Sequence, residues 1–157
     1  MASSATDKSS YQEILSALIS EAGALTVLLI TRQGITIAVA GDTSYLNTTA
    51  MAALVAGMFS ATKEVARIVG EPQFSILLQQ GEKKHIHISL VGEQTMLVVI
   101  FEDQNRIGMI RLYARRVAGA LVQSMAASTE IEQVSGELLL PKFREYALAL
   151  IDRIFQA

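Results

Sequence analysis

The sequence predicts an α+β domain built around one antiparallel sheet, and three observations carry that prediction. Short turn signals (Arg32-Gln33-Gly34, the polar stretch 81–84 and Gly92-Glu93) join strand-like runs into hairpins. The run TMLVVIF at 95–101 has no polar face, as expected of a central strand covered by helices on both sides. Residues 48–69 and 105–127 instead repeat their apolar positions at helical spacing.

In chain order, residues 1–9 are small and polar and read as a disordered tail. Ser10 and Glu13 then have capping-box spacing, opening a helix to about Ala22 with Ile14, Leu15, Leu18 and Ile19 on one face. Residues 25–31 form the first strand, mostly apolar and β-branched. Gly34 is free to take the positive φ of the following turn. Residues 35–40 return as the second strand, with Ile35, Ile37 and Val39 alternating against smaller residues, until Gly41 and Asp42 break it. Asn47 is the expected N-cap of the next helix, and Gly70, with Pro72 beyond it, the expected stop. Three strands follow at 74–80, 85–91 and 95–101; the second places Ile86, Ile88 and Leu90 on one face and His85, His87 and Ser89 on the other. The last core helix, 105–127, buries Ile107, Ile110, Ala114, Val117 and Leu121. The order is therefore α-β-β-α-β-β-β-α, with a domain at 10–127. Residues 128–137 read as a linker. A C-terminal amphipathic helix follows at 138–157, with Pro141 in its first turn and Phe143, Ala147, Leu150 and Ile154 on one stripe. That helix either packs on its own domain or a dimer mate, or docks on a second protein.

The helix at 48–69 is two-sided. Its apolar stripe reads Met51, Leu54, Val55, Met58, Thr62, Val65 and Val69, and its back reads Ala53, Ala56, Gly57, Ser60, Lys63, Glu64 and Arg67. A solvated back would carry long polar side chains throughout; here several turns offer only small ones. Gly57 costs mid-helix about 1 kcal/mol relative to Ala, so closeness to a partner is the expected reason for it.

At 157 residues the chain suits one domain, and a net charge of −2 argues against nucleic acid as the main partner. No apolar run approaches the roughly 20 residues that span a bilayer, and the first ten residues lack the apolar stretch of a secretory signal. The absence of cysteine suits the cytoplasm. Catalytic constellations are missing as well. His85 and His87 could offer two imidazoles to a metal from one strand face, but without a cysteine, a third histidine or a carboxylate pair, a polar strand face is the simpler reading. No glycine-rich phosphate loop exists, and Ser60, Ser89 and Ser124 lack a nucleophile's context. Arg111, Arg115 and Arg116 read as the solvated side of the last core helix. No enzyme activity, cofactor or metal is expected.

Several strings together resemble the Roadblock / dynein light chain domain family, in particular its bacterial MglB-like members. They are LITRQGITIAVAG across the first hairpin, NTTAMAALVAG and ARIVGE at the ends of the two-sided helix, VGEQTMLVVIF in the closing hairpin, GMIRL after it, and IDRIF near the end. Thr31 departs from the aspartate frequent in the family at the first turn. The resemblance implies a profilin-like five-stranded antiparallel sheet with helices on both faces. It also implies a homodimer joined through the two-sided helix and the edge strand at 74–80. Such a dimer would be a GTPase-activating protein for an MglA-like, Ras-like small GTPase in gliding motility and cell polarity, remodelling the GTPase's own catalytic residues. Its platform would map to Ala53, Ala56, Gly57, Ser60, Ala61, Glu64 and Arg67, with Arg67 the candidate arginine finger. Phe143, Leu150 and Ile154 would touch the GTPase elsewhere. A cytoplasmic location is implied, with a cell pole as the place where such a complex gathers. A scaffold of the same fold that leaves hydrolysis unchanged is the alternative. A small-molecule sensor using the face of His85 and His87 is a third reading.

Overall fold

The computed structural model describes the backbone of residues 2–137 and the side-chain environments of residues 8–127. Its elements are α1 (Ala2–Ser20), β1 (Thr26–Thr31), β2 (Thr36–Gly41), α2 (Thr48–Val69), β3 (Ile76–Gln80), β4 (His85–Val91), β5 (Thr95–Phe101), a 3-10 turn (Gln104–Arg106) and α3 (Ile107–Glu137). The five strands form one antiparallel sheet in the order β2-β1-β5-β4-β3. By its contacts the chain divides into two units, Met1–Leu121 and Val122–Ala157; the described part of the second is the helical stretch to Glu137.

The expected central strand is β5, every residue of which is buried. Its register puts alternate side chains on opposite faces. On one face Leu28, Ile30, Ile88, Met96, Val98 and Ile100 pack with Ala52, Val55, Ala56 and Phe59 of α2. On the other lie Val27, Leu29, Leu97, Val99 and Phe101, with Leu15 and Leu18 of α1 and Ile110, Ala114, Val117 and Leu121 of α3 also buried. A three-layer α/β/α arrangement results, as the sequence predicts.

α2 matches its expected bounds, and the reason is visible at both ends. The Asn47 side chain accepts from Ala50 N at 3.0 Å, and Gly70 closes the helix with φ 82°, its N–H reaching Ala66 O and Arg67 O. At the first turn Gly34 has φ 88°, and a Cβ there would come within 3.0 Å of Ala53 Cα. The β1–β2 hairpin therefore presses its turn directly onto the α2 backbone. The Thr31 hydroxyl accepts from Ile35 N at 3.1 Å across this turn.

Several expectations need correction. α1 begins at Ala2, so Ser10 lies inside the helix rather than capping it; residues 2–9 contain no glycine or proline to stop a helix extending backwards. α3 continues through 128–137, expected as a linker, because no helix-breaking residue occurs after Gly119 until Gly136. In β2 the expected alternation fails: pairing slips between Leu29 and Ile30, leaving Ile37 without an opposite residue, and Ala38 and Ala40 are the buried positions. Ile35 is 65% exposed in the turn. The domain bounds of 10–127 stand as a proposal, and the expected helix at 138–157 lies outside the described residues.

Candidate functional site: the outer face of α2 and the β3 edge

The inner face of α2 is rotated by roughly a quarter turn from the stripe read in the sequence. Ala52, Val55, Ala56, Phe59 and Ala66 face the core, whereas Leu54 and Ile68 are 72% and 85% exposed and Val65 and Val69 also face outward. The expected stripe omits Phe59, although it is the bulkiest apolar residue in this helix and settles the orientation. Centring the helical wheel on it recovers the inner face, and the sequence therefore held the signal.

The expected platform is partly brought together. Ala53, Gly57, Ser60, Ala61, Glu64 and Arg67 are all exposed. Ala56 is not available: at 7% exposure it packs into its own core, two residues from the exposed Leu54 and therefore on the opposite side of the helix. Around Gly57 an added Cβ would meet nothing within 4 Å. Arg67 lies 3.5 Å from Glu64 in an exposed ion pair, a geometry that holds the guanidinium only weakly. Phe143, Leu150 and Ile154 lie outside the described residues. The outer surface of α2 thus has two parts. An apolar stripe runs through Leu54, Ala61, Val65 and Ile68, and a flank carries Ala53, Ser60, Glu64 and Arg67.

Beside this helix runs the open edge of the sheet. Among the described residues β3 pairs with β4 alone, and four of its five residues are exposed; Ile76 and Leu78, opposite Ser89 and His87, face away from α2. Gln79 Nε2 donates to Met58 Sδ at 3.0 Å, joining the edge strand to the outer shoulder of α2. Exposed apolar helix and unpaired strand edge therefore form adjacent parts of one surface.

The imidazoles expected on a polar strand face are instead buried, His85 completely and His87 to 1% exposure. β4 is an interior strand, flanked by β5 and β3, and five of its seven residues are buried. The His85 ring lies 5.2 Å from that of Phe101. The His87 pKa is lowered, first by burial and then by the positive charge of Arg111. Among the described residues, no group of three or more histidine, cysteine, aspartate or glutamate side chains could hold a metal. No described helix is long and apolar enough to cross a membrane.

Comparison with known proteins agrees with this architecture. The structure is similar to Myxococcus xanthus MglB, with 28% identity, a TM-score of 0.73, and coverage of 76% of this chain and 90% of that one. It is also similar to the gliding protein MglB from Thermus thermophilus, with 29% identity, a TM-score of 0.70, and coverage of 75% and 90%. A structure described as MglB with tetrameric arrangement aligns at 28% identity and a TM-score of 0.72, covering 78% and 92%. No curated protein sequence matches. The model of the Roadblock/LC7 domain matches residues 10–101, which hold the whole five-stranded sheet and α2, and the chain belongs to that family.

Proposed function

We propose that this chain is a non-enzymatic regulator of a Ras-like small GTPase and works as a homodimer. The observation that carries the reading is the continuity of the exposed Leu54–Ile68 stripe with the bare β3 edge. Two copies related by a two-fold axis can cover both at once, joining β3 to β3 and α2 to α2. The likeness to MglB gliding proteins supports the same reading.

With the apolar stripe used for self-association, the flank of Ala53, Gly57, Ser60, Glu64 and Arg67 remains for the GTPase. Small side chains there let a switch segment approach the helix backbone closely. The dimer accelerates hydrolysis by binding the competent switch conformation more tightly than the others, so that the GTPase's own residues are held around the attacking water. Residues 138–157 add a second contact through Phe143, Leu150 and Ile154. The complex acts in the cytoplasm, gathered at a cell pole.

The test is GTP turnover by an MglA-like GTPase with and without this protein. Saturable acceleration is expected. Binding without acceleration leaves the scaffold reading, and the absence of binding removes both.

A further inference from the structure

A groove of about 540 Å³ opens on the sheet face opposite α2, between β3–β4 and α3. That volume lies within the roughly 300 to 1,000 Å³ of small-molecule sites. His87 and Ser89 line it from β4, both buried, and neither imidazole nitrogen nor the Ser89 hydroxyl has a hydrogen-bond partner among the described residues. Buried polar atoms in native proteins are nearly always satisfied, so unpartnered atoms on two side chains that line one groove call for a partner. Across from them stand Arg111 and Arg115, one helical turn apart and exposed, with no ion pair among the described residues. Among the described residues no acidic side chain lines the groove, while Ile76 and Leu112 supply apolar wall.

We infer that this groove binds a small organic anion with an apolar body, a carboxylate or phosphate monoester. Its charged group sits between the two guanidinium groups and the hydrogen-bonding atoms of His87 and Ser89, and its hydrocarbon part lies against Ile76 and Leu112. The guanidinium groups give the charge-assisted, bidentate hydrogen bonds that carboxylate and phosphate oxygens accept. A neutral imidazole can donate from one nitrogen and accept at the other, so it satisfies the ligand without adding a buried charge. The groove lies on the other face of the sheet from α2, and its wall residue Ile76 belongs to the edge strand assigned above to self-association.

The experiment titrates the full chain with octanoate, phenyl phosphate and 1-octanol near neutral pH, by calorimetry and by the imidazole resonances of His87. Saturable binding of octanoate or phenyl phosphate is expected, with a shift of the His87 resonances and affinity about tenfold or more above that of the neutral alcohol. The double variant Arg111→Ala, Arg115→Ala, altered only at exposed positions, should weaken binding by a further tenfold or so. Replacing both by lysine should restore part of it. Equal binding of octanol, an unchanged double variant, or no saturable binding of either anion overturns the inference. Sedimentation with phosphatidylglycerol vesicles in the absence of octanoate binding would also overturn it, assigning the arginines to a membrane surface instead.

Discussion

The two ends of the sheet are finished differently. At the β2–β1 end α1 packs along the strands, and the fully buried Thr26 hydroxyl donates to Asp42 O while Tyr45 OH donates to it at 2.6 Å. At the β4–β3 end the edge strand is exposed and His87 and Ser89 have unpartnered polar atoms. Both edge strands pair on one side only, and the Thr36 hydroxyl of β2 is also unpartnered among the described residues, but α1 covers β2 and makes that end the more closed, leaving β3 as the edge open to a partner. Departures from local consistency of this kind concentrate at functional surfaces.

The closed end should be the more sensitive to single substitutions. Gly41 has φ 85°, and a Cβ there would overlap the Leu25 carbonyl oxygen and approach Ile19 Cδ1 to 2.8 Å. Gly41→Val combines a disfavoured backbone conformation with a clash against main chain. A loss of about 3 kcal/mol or more is expected in urea unfolding. A variant with wild-type stability would mean that this end is loosely packed.

At the open end, charge should disrupt assembly without disturbing the fold. Leu54→Asp with Ile68→Asp places two carboxylates on the exposed stripe, and about 2 to 4 kcal/mol of dimer stability should be lost. Light scattering would then report a monomer with unchanged circular dichroism. Ile35→Asp, an equally exposed apolar position at the first hairpin turn, should leave the assembly intact. If both variants behave alike, the contrast between the ends has no bearing on self-association. On the neighbouring flank Gly57→Arg should abolish GTPase binding and leave the monomer fold unchanged, since the site is open and arginine is the better helix former. Normal binding by that variant would remove the flank from the contact.

Most of this architecture is legible in the sequence, and the failures share a cause. TMLVVIF declares its centrality by lacking a polar face, and Asn47 and Gly70 mark α2 through chemistry local to each residue. The orientation of α2 is harder because the helix is apolar on two sides. With Leu54, Val65 and Ile68 outside, periodicity alone cannot choose between stripes. The unexpected burial of Ala56 follows from the same ambiguity. His85 and His87 are misplaced because a histidine carries no sign of whether a distant helix will cover it. The groove of Arg111 and Arg115 is invisible for the same reason, since it is created by α3 crossing a strand some 20 residues away in sequence.

Acid should weaken the open end next. His87 titrates ordinarily near 6.5, and its pKa in the folded chain is lower because it is buried and faces Arg111, with Arg115 on the same groove wall. In the window between the two values the unfolded chain binds a proton that the folded chain does not. Stability is therefore fully present above about 6.5 and is lost as pH falls toward the folded-state pKa. Urea midpoints measured between about pH 5 and pH 7.5 should fall on the acid side, and the fall should be smaller in Arg111→Ala, which removes one of the two causes. An identical slope in the variant would show that Arg111 exerts no such influence on the imidazole.

The smallest effect should come from the residue that looks most chemical. Arg67 is exposed, and among the described residues its ion pair is with the equally exposed Glu64, so neither folding nor assembly should notice its loss. An arginine inserted at the γ-phosphate would contribute about 10³- to 10⁵-fold in hydrolysis. A residue that merely borders a docking surface contributes a fraction of one contact. If the dimer acts by holding the GTPase's own residues in place, Arg67→Ala should lower maximal GTP turnover by less than about tenfold and raise the half-saturating concentration slightly. A collapse by three orders of magnitude at saturation would instead make Arg67 the finger. The flank of α2 would then be the means of delivering one guanidinium, and the small residues beside it only clearance for its path.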